Sequence, residues 1–166
     1  TSRGLGDVYK RQPWRQAEDT ALVPFSTIPS GAYQSFVKNW DDRQQPVLCV
    51  LIRSQDDWNH WFQPAATTPA RQTLTPSDDY FQTRQLLMAA RVSQAPDSAE
   101  RSRIFTADKV SMRDGLLKLE YRFVPPRSGA TYQVKDFLLV EIPRERYTTG
   151  PVQFIENGRT VCQIPR

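Results

Sequence analysis

Apolar and charged residues alternate strictly in the stretch after Gly115. Alternation with a period of two predicts a β-strand with one face on a core and the other in water. The Asp114-Gly115 dipeptide before it predicts a hairpin turn. The core-facing side chains are Leu117, Leu119, Tyr121 and Phe123, and those on the opposite face are Lys118, Glu120 and Arg122.

Continuous apolar runs predict strands that are buried on both faces. Pro46 to Ile52 is such a run, and 131–143 contains another, FLLV. A change of phase at Lys135-Asp136 predicts a bulge in the second strand. The run LLMAARV within 84–93 suits either a buried strand or a helix, and its strand-rich surroundings favour the strand.

A two-residue hairpin is predicted at Asn157-Gly158, because these residue types tolerate the positive φ that the turn requires. Glu156 and Arg159 then flank the turn, and we expect them to form an exposed ion pair. The full register predicts the pairs Glu156 with Arg159, Ile155 with Thr160, Phe154 with Val161, and Gln153 with Cys162.

One short helix is predicted after Ser54. Ser54 and Asp57 match a capping box, in which the hydroxyl and the carboxylate satisfy free backbone N–H groups. Trp58, Trp61 and Phe62 are spaced i, i+3 and i+4, so they share one face of the helix. We expect that face to pack on the sheet.

About eight short strands with one helix predict an all-β fold with one short helix, either an antiparallel β-sandwich or a barrel-like sheet. We expect a single domain over 31–166, preceded by an N-terminal extension at 13–30. Residues 1–12, TSRGLGDVYKRQ, show no periodicity and resemble a translated sequencing-adapter tail of the kind found on metagenomic fragments. They are expected to be non-native or disordered.

The formal net charge of +4 does not indicate a nucleic-acid partner, because the basic residues are spread out and form no long run. Residues 1–12 hold three basic residues and one acidic residue, so leaving them out removes 3 − 1 = 2 charges and lowers the net charge from +4 to +2. No apolar run approaches the roughly 18 residues that a membrane span needs.

Residues suited to catalysis or metal binding are sparse. His60 is the only histidine, and no triad pattern accompanies it. Zinc-ligand spacings and nucleotide- or hydrolase-type motifs are missing, so we predict no metal, no cofactor and no catalytic residue. The three Asp pairs are typical of turns and helix caps. A hydrolase that uses two distant carboxylates stays open as an alternative.

Two cysteines, Cys49 and Cys162, both lie in apolar strand patterns. A disulfide between them requires neighbouring strands with Cα atoms within about 7 Å. The alternative is a pair of buried thiols that act as small hydrophobic side chains.

Aromatic residues in or beside predicted loops are the candidate binding residues. Such side chains stack on sugar rings or anchor a partner protein when exposed, and otherwise they pack under the loops. The candidates are Tyr33, Trp40, Tyr80, Tyr147 and, in the N-terminal extension, Trp14.

The order of elements between 46 and 165 resembles a known family. A helix that carries Trp58 follows the first core strand, and a late strand ends in Val140-Glu141-Ile142-Pro143. Both features resemble the C-terminal domain of protease-complex regulatory subunits, the PrcB-type domain of bacterial secreted proteins and lipoproteins. The segment 128–132 is a partial counterpart of that family's glycine-rich segment. The resemblance implies a non-enzymatic, exported domain that binds or stabilises another protein.

We therefore expect an exported binding or accessory domain (periplasmic, cell-surface or secreted) whose partner is a protein such as a protease. A carbohydrate-binding module is the first alternative and a hydrolase the second. Coplanar exposed aromatic rings would favour sugar, and an apolar patch or a bare strand edge would favour protein. An acidic cleft that encloses two carboxylates would favour an enzyme.

Overall fold

Eleven β-strands and two short α-helices form the part of the chain that the computed structural model describes, residues 20–29, 33, 35–64 and 75–165. The fold is mostly β-structure. The strands are β1 Thr20–Leu22, β2 Ser26–Ile28, β3 Ser35–Val37, β4 Val47–Ile52, β5 Phe62–Pro64, β6 Arg84–Gln94, β7 Phe105–Arg113, β8 Leu116–Phe123, β9 Gln133–Pro143, β10 Val152–Glu156 and β11 Arg159–Ile164, and the helices are α1 Gln55–Trp61 and α2 Asp78–Thr83.

Two open sheets pack face to face as a β-sandwich, which confirms the predicted fold class. One sheet has the order β1-β7-β8-β10-β11 and the other the order β2-β9-β6-β4. Neighbouring strands run antiparallel except β8 and β10, which are parallel. The described strands outnumber the predicted eight, and four of them, β1, β2, β3 and β5, have three residues each.

Part of the expected N-terminal extension belongs to the sandwich. β1 pairs with β7 and β2 pairs with β9, so residues 20–28 add an edge strand to each sheet. Val23, between the two strands, is buried in the core where the chain passes from one sheet to the other. Trp14 and the tail at 1–12 lie outside the described residues.

Apolar side chains cover both faces of the sheet that contains β6. Between the two sheets lies a core that includes Val140 and Phe154, both fully buried. On the opposite face, Trp58 of α1 and Phe62 pack with a second cluster. A strand that is covered on both faces is apolar throughout its length. The strand that the sequence favoured for 84–93 is confirmed as β6.

Helix α1 begins at the predicted cap. The Ser54 hydroxyl accepts from the Asp57 N–H at 3.0 Å, and the Asp57 carboxylate accepts from the N–H of Arg53, the residue before the cap, at 2.9 Å. Trp58 is 1% exposed, and its ring stacks on Phe62 with 4.2 Å between centroids. Trp61 is half-buried. The shared apolar face is therefore confirmed, although Phe62 already belongs to β5.

The prediction of a single helix is wrong, because a second short helix, α2, precedes β6. The Ser77 hydroxyl accepts from the Tyr80 N–H at 3.3 Å, and Asp78 and Asp79 occupy the first turn. A hydroxyl cap and acidic residues stabilise the start of a helix. Buried Phe81 then fastens α2 to the outer face of the sheet.

The hairpin turn at Asn157-Gly158 is confirmed, with φ angles of 51° and 82°. The first two predicted pairs beyond the turn are also confirmed, but the register then shifts by one residue at Val161. Cys162 consequently lies opposite Phe154 rather than Gln153. The prediction is wrong there because a β-bulge places an additional residue in β11.

The bulge turns Cys162 towards the core. Residues opposite each other on paired strands share a face, and Phe154 faces the space between the sheets. Cys162 forms a disulfide with Cys49 of β4, with Cα atoms 6.5 Å apart. In the predicted register Cys162 would share the outer face with Gln153, out of reach of Cys49. The disulfide joins the edge strand of one sheet to the edge strand of the other.

Glu156 is buried, so the predicted exposed ion pair with Arg159 is wrong. Its side chain is 5% exposed, because it shares the inward face of β10 with the core. Arg91 of β6 donates to its carboxylate through Nε at 2.9 Å and approaches the second oxygen through Nη2 at 2.5 Å. The Tyr121 hydroxyl donates at 2.8 Å. These three side chains connect the two sheets across the core.

Replacing both cysteines by alanine is expected to lower the free energy of unfolding by about 2–5 kcal/mol, because the bond restricts a long loop in the unfolded chain. Cys49 and Cys162 are 113 residues apart in the sequence. Denaturant unfolding measures the difference. In the presence of a reductant, wild-type protein should unfold at the same denaturant concentration as the double variant. Two titratable thiols in untreated wild-type protein would contradict the disulfide bond.

Glu156→Ala is expected to lower the free energy of unfolding by about 3 kcal/mol, since it leaves Arg91 without its partner in a mostly buried site. Tyr121→Phe should cost about 1–2 kcal/mol through the lost hydrogen bond. The matched control is Arg122→Ala, which breaks an exposed pair with Asp108 and should cost at most about 1 kcal/mol. Equal losses for Glu156→Ala and Arg122→Ala would rule out a structural role for the buried pair.

Candidate functional site

Two of the four predicted binding residues that the structure describes are buried. Trp40 is 7% exposed and Tyr147 is 4% exposed. The Trp40 indole Nε1 donates to the carbonyl of Gln45 at 2.7 Å, and the Tyr147 hydroxyl donates to the carbonyl of Gly150. Both side chains therefore pack beneath loops and hold those loops in place, so neither offers a surface to a ligand.

The other two, Tyr33 and Tyr80, are half-buried on the outer face of the sheet. The Tyr33 ring meets Trp58 edge-on, with 4.9 Å between centroids. Burial, and then the neighbouring Glu141 carboxylate, raise the pKa of both phenols. Arg84 pairs with Glu141 at 2.8 Å, which supplies the carboxylate with a counter-charge. This cluster anchors α2 to the sheet.

His60 is exposed, and its ring contacts Trp61 edge-on at 4.7 Å between centroids. A hydrolase would be favoured by a buried histidine beside a carboxylate and a hydroxyl, and His60 does not provide that arrangement. Within the described part of the chain, no group of three or more His, Cys, Asp or Glu side chains is placed to hold a metal ion. Cys49 and Cys162 are bonded to each other.

An open trough runs along β9 on the side where β2 ends. It consists of two hollows of about 370 Å³ and about 440 Å³, which adjoin because they share Arg101, Asp136 and Phe137. The first hollow reaches Phe105 and Leu138 at the mouth of the inter-sheet core. The second follows β3 to the start of β9. These two hollows together are called the trough below.

The trough borders the part of β9 that lies beyond its pairing with β2. β9 pairs with β6 in continuous register from Gln133 to Pro143, so the predicted bulge at Lys135-Asp136 is wrong. On its other side, β2 covers only Leu139 to Glu141. No described strand forms a ladder with the earlier part of β9 on that side, although β3 lies close to it. On its outer face Lys135 contacts Trp40 and Phe137 contacts Phe62.

Asp136 lies where the two hollows meet. Its Oδ1 accepts from the N–H of the next residue, Phe137, at 2.9 Å. Burial raises the pKa of this carboxyl above its ordinary value of 3.8, and the Phe137 N–H and the Arg101 guanidinium, which lower the pKa, offset the burial only in part. The trough therefore contains a carboxyl group whose ionisation is disfavoured by burial. This group accepts a hydrogen bond from the backbone N–H of the next residue.

Lys135 is held against Trp40. Its Nζ donates to the Trp40 carbonyl at 2.9 Å and lies 5.4 Å from the centre of the indole ring. A cation over an aromatic face is stabilised by the ring quadrupole. Trp40, a predicted binding residue, therefore holds the Lys135 ammonium on the outer face of the sheet, away from the edge of β9.

Two exposed aromatic side chains flank the trough, and sequence reasoning selected neither. Phe36 of β3 and Tyr132, the residue before β9, are each 65% exposed and line the second hollow. The sequence signal for Phe36 is its alternation with the buried Val37 in a strand. Tyr132 has no such signal, because it stands in a loop whose course depends on the sheet.

Comparison of the chain with protein-family models, with curated proteins and with solved structures finds no match. The site is therefore interpreted from its own geometry. Neither helix in the described ranges has the length and apolar character needed to cross a membrane.

The Asp136 carboxyl is expected to titrate above 3.8 in the folded protein. Because its folded pKa is raised, the group favours folding while protonated, and this contribution is lost as pH rises from the unfolded value through the folded pKa. Carbon-detected NMR titration of the side-chain carboxyl measures the midpoint, and Asp136→Asn identifies the resonance. A midpoint at or below 3.8 would show that the trough does not desolvate this group.

Proposed function

We propose that this chain is a non-enzymatic, exported domain that binds a partner protein through the trough. The observation that carries the proposal is the pair of exposed aromatic side chains, Phe36 and Tyr132, which line the same hollow beside the start of β9. Exposed aromatic residues that flank a concave surface are typical anchors of protein interfaces.

The aromatic residues predicted from the sequence argue against a sugar-binding surface. Planar platforms for sugars need exposed, coplanar aromatic rings. Of the four aromatic candidates, Trp40 and Tyr147 are buried, and Tyr33 and Tyr80 are half-buried against other side chains. The carbohydrate-binding alternative therefore has no observation in its favour among these residues.

The disulfide supports the proposal that the domain is exported. A bond between Cys49 and Cys162 persists in an oxidising compartment and is rare in the cytosol. The resemblance of 46–165 to PrcB-type domains implies the same location and the same kind of role, with a protease as one class of partner. That resemblance remains part of the proposal.

Binding is tested with a phage library that displays bacterial protein fragments, selected on the immobilised chain. Phe36→Ser and Tyr132→Ser should each weaken the selected fragments about 30-fold, the effect of losing an aromatic contact worth about 2 kcal/mol. The matched control is Leu22→Ser, since Leu22 is 66% exposed but lies on β1. It should leave the affinity unchanged.

Fragments that bind equally to wild type, Phe36→Ser and Tyr132→Ser would show that the trough is not the binding surface. Weakening by Leu22→Ser to the same extent would place the interface elsewhere on the sandwich. Near-ultraviolet circular dichroism of each variant checks that the fold is intact.

A further inference from the structure

Strand β11 is held in its sheet by few non-covalent interactions. Among the described strands it forms a ladder with β10 alone, and the bulge at Val161 interrupts that ladder. A bulge leaves one residue unpaired and locally disrupts the ladder. Within the described part of the chain, no side chain of β11 forms a hydrogen bond or an ion pair. The only tie that its side chains make is the disulfide of Cys162.

Apolar burial adds little to the attachment of β11. Val161, Cys162 and Ile164 are only half-buried against the core, and the other side chains of the strand are exposed. Phe154 on the neighbouring strand β10 is fully buried by comparison. Because hydrophobic stabilisation scales with the apolar area that is buried, β11 gains much less from packing than β10 does.

Strand β10 stays in place without β11. It pairs with β8 along its whole length, and the carboxylate of Glu156 accepts from Arg91 and Tyr121. The Asn157 side chain then fixes the turn. It donates through Nδ2 to the carbonyl of Phe123 at 3.0 Å and accepts through Oδ1 from the N–H of the same residue at 2.9 Å. The attachment of the hairpin to β8 therefore ends at the turn.

The disulfide joins β11 to a strand that is firmly held. β4 pairs with β6 over its whole length, and most of its side chains are buried. At the other end of the bond, Cys162 directly follows the bulge residue Val161. The covalent link thus lies where the ladder of β11 is weakest. Elements with few buried contacts open locally at a lower free energy than the rest of a domain.

We propose that the bond between Cys49 and Cys162 is a redox-controlled clasp. Its reduction by a protein dithiol releases β11 from the sandwich, while the two sheets otherwise stay folded. The inference does not rest on the proposed function, because the trough lies along β9, which β6 separates from β4. It adds a conformational response to the bond that export favours.

The two sulfur atoms differ in access, which sets the order of the exchange. Cys49 is 8% exposed and Cys162 is half-buried on an edge strand, so the thiolate of the reductant attacks the sulfur of Cys162. A mixed disulfide forms there, and Cys49 leaves as a thiolate that takes up a proton.

The second thiol of the reductant completes the exchange. As a thiolate it attacks the reductant's own sulfur in the mixed disulfide, and Cys162 leaves and is protonated. Two electrons and two protons have then passed to the protein. Its disulfide has become two thiols, and the dithiol has become a disulfide.

Amide hydrogen exchange of the full chain, with and without dithiothreitol, tests the release. In the reduced protein, the β11 amides that bond to β10 should be protected less than about tenfold, and those of β8 at least about 1,000-fold. Both strands should be protected in the oxidised protein. Protection of β11 that survives reduction would overturn the inference. Loss of protection in β8 as well would also overturn it, because the bond would then hold the whole sandwich.

Two variants separate the bond from the packing of β11. The double variant Cys49→Ala and Cys162→Ala should show the released strand with or without reductant. Ile164→Ala is the matched control, since it removes an apolar contact of β11 and keeps the bond. It should release β11 only when reductant is added. Release from oxidised Ile164→Ala would show that packing holds the strand, which would overturn the clasp.

Reversibility is the last requirement of the clasp. When dithiothreitol is replaced by glutathione disulfide, wild-type protein should regain the bond and the protection of β11 together. Near-ultraviolet circular dichroism should keep its native signal throughout the cycle. A bond that reforms without protection of β11 would overturn the inference, as would a reduced protein that loses this signal.

Discussion

The bond between Cys49 and Cys162 closes one side of the sandwich, and it depends on a single bulge. β4 and β11 are the edge strands of different sheets. Without the additional residue at Val161, Cys162 would face outward and the two edges would have no covalent link. Inside the core, the carboxylate of Glu156 accepts from Arg91 and Tyr121 and adds a polar connection between the same sheets. Burial of this group is tolerated because its charge is paired.

The opposite side of the sandwich is closed only in part. β1 and β2, of three residues each, cover a short stretch of β7 and of β9. Beyond β1 the rest of β7 contains a bulge, whereas β9 pairs regularly with β6 and starts beside the exposed Tyr132. A scaffold fixed on one side can present exposed side chains on the other with little loss of shape, which is what a preorganised binding surface requires. The proposed function follows from this asymmetry.

Much of the fold was predictable because the signals are local. Alternation after Gly115 identified β8, and the dipeptides Asp114-Gly115 and Asn157-Gly158 identified two turns that adopt positive φ in the structure. The cap at Ser54 identified α1. Helix α2 was missed although Ser77 carries a similar signal, because its six residues bury one large side chain, Phe81, and show no helical period.

The candidate site was predicted poorly, for a physical reason. Loop position suggested Trp40 and Tyr147 as exposed, but the loops fold back and bury both rings. Phe36 was not among the predicted candidates, and its strand β3 pairs with β5 in a separate two-stranded sheet. Whether an aromatic side chain is exposed depends on what other parts of the chain cover it, and neither period nor composition contains that information.

The sequence by itself determined the strand-rich fold, the main turns and the apolar faces, because these depend on residues close together in the chain. It left open the pairing of the cysteines and misplaced Glu156 in solvent. The tertiary structure decided both: one bulge reverses the face of Cys162, and the inward face of β10 carries Glu156 to Arg91. It also decided where β2 stops along β9. These features depend on strands distant in the sequence, and local patterns do not specify where such strands meet or end.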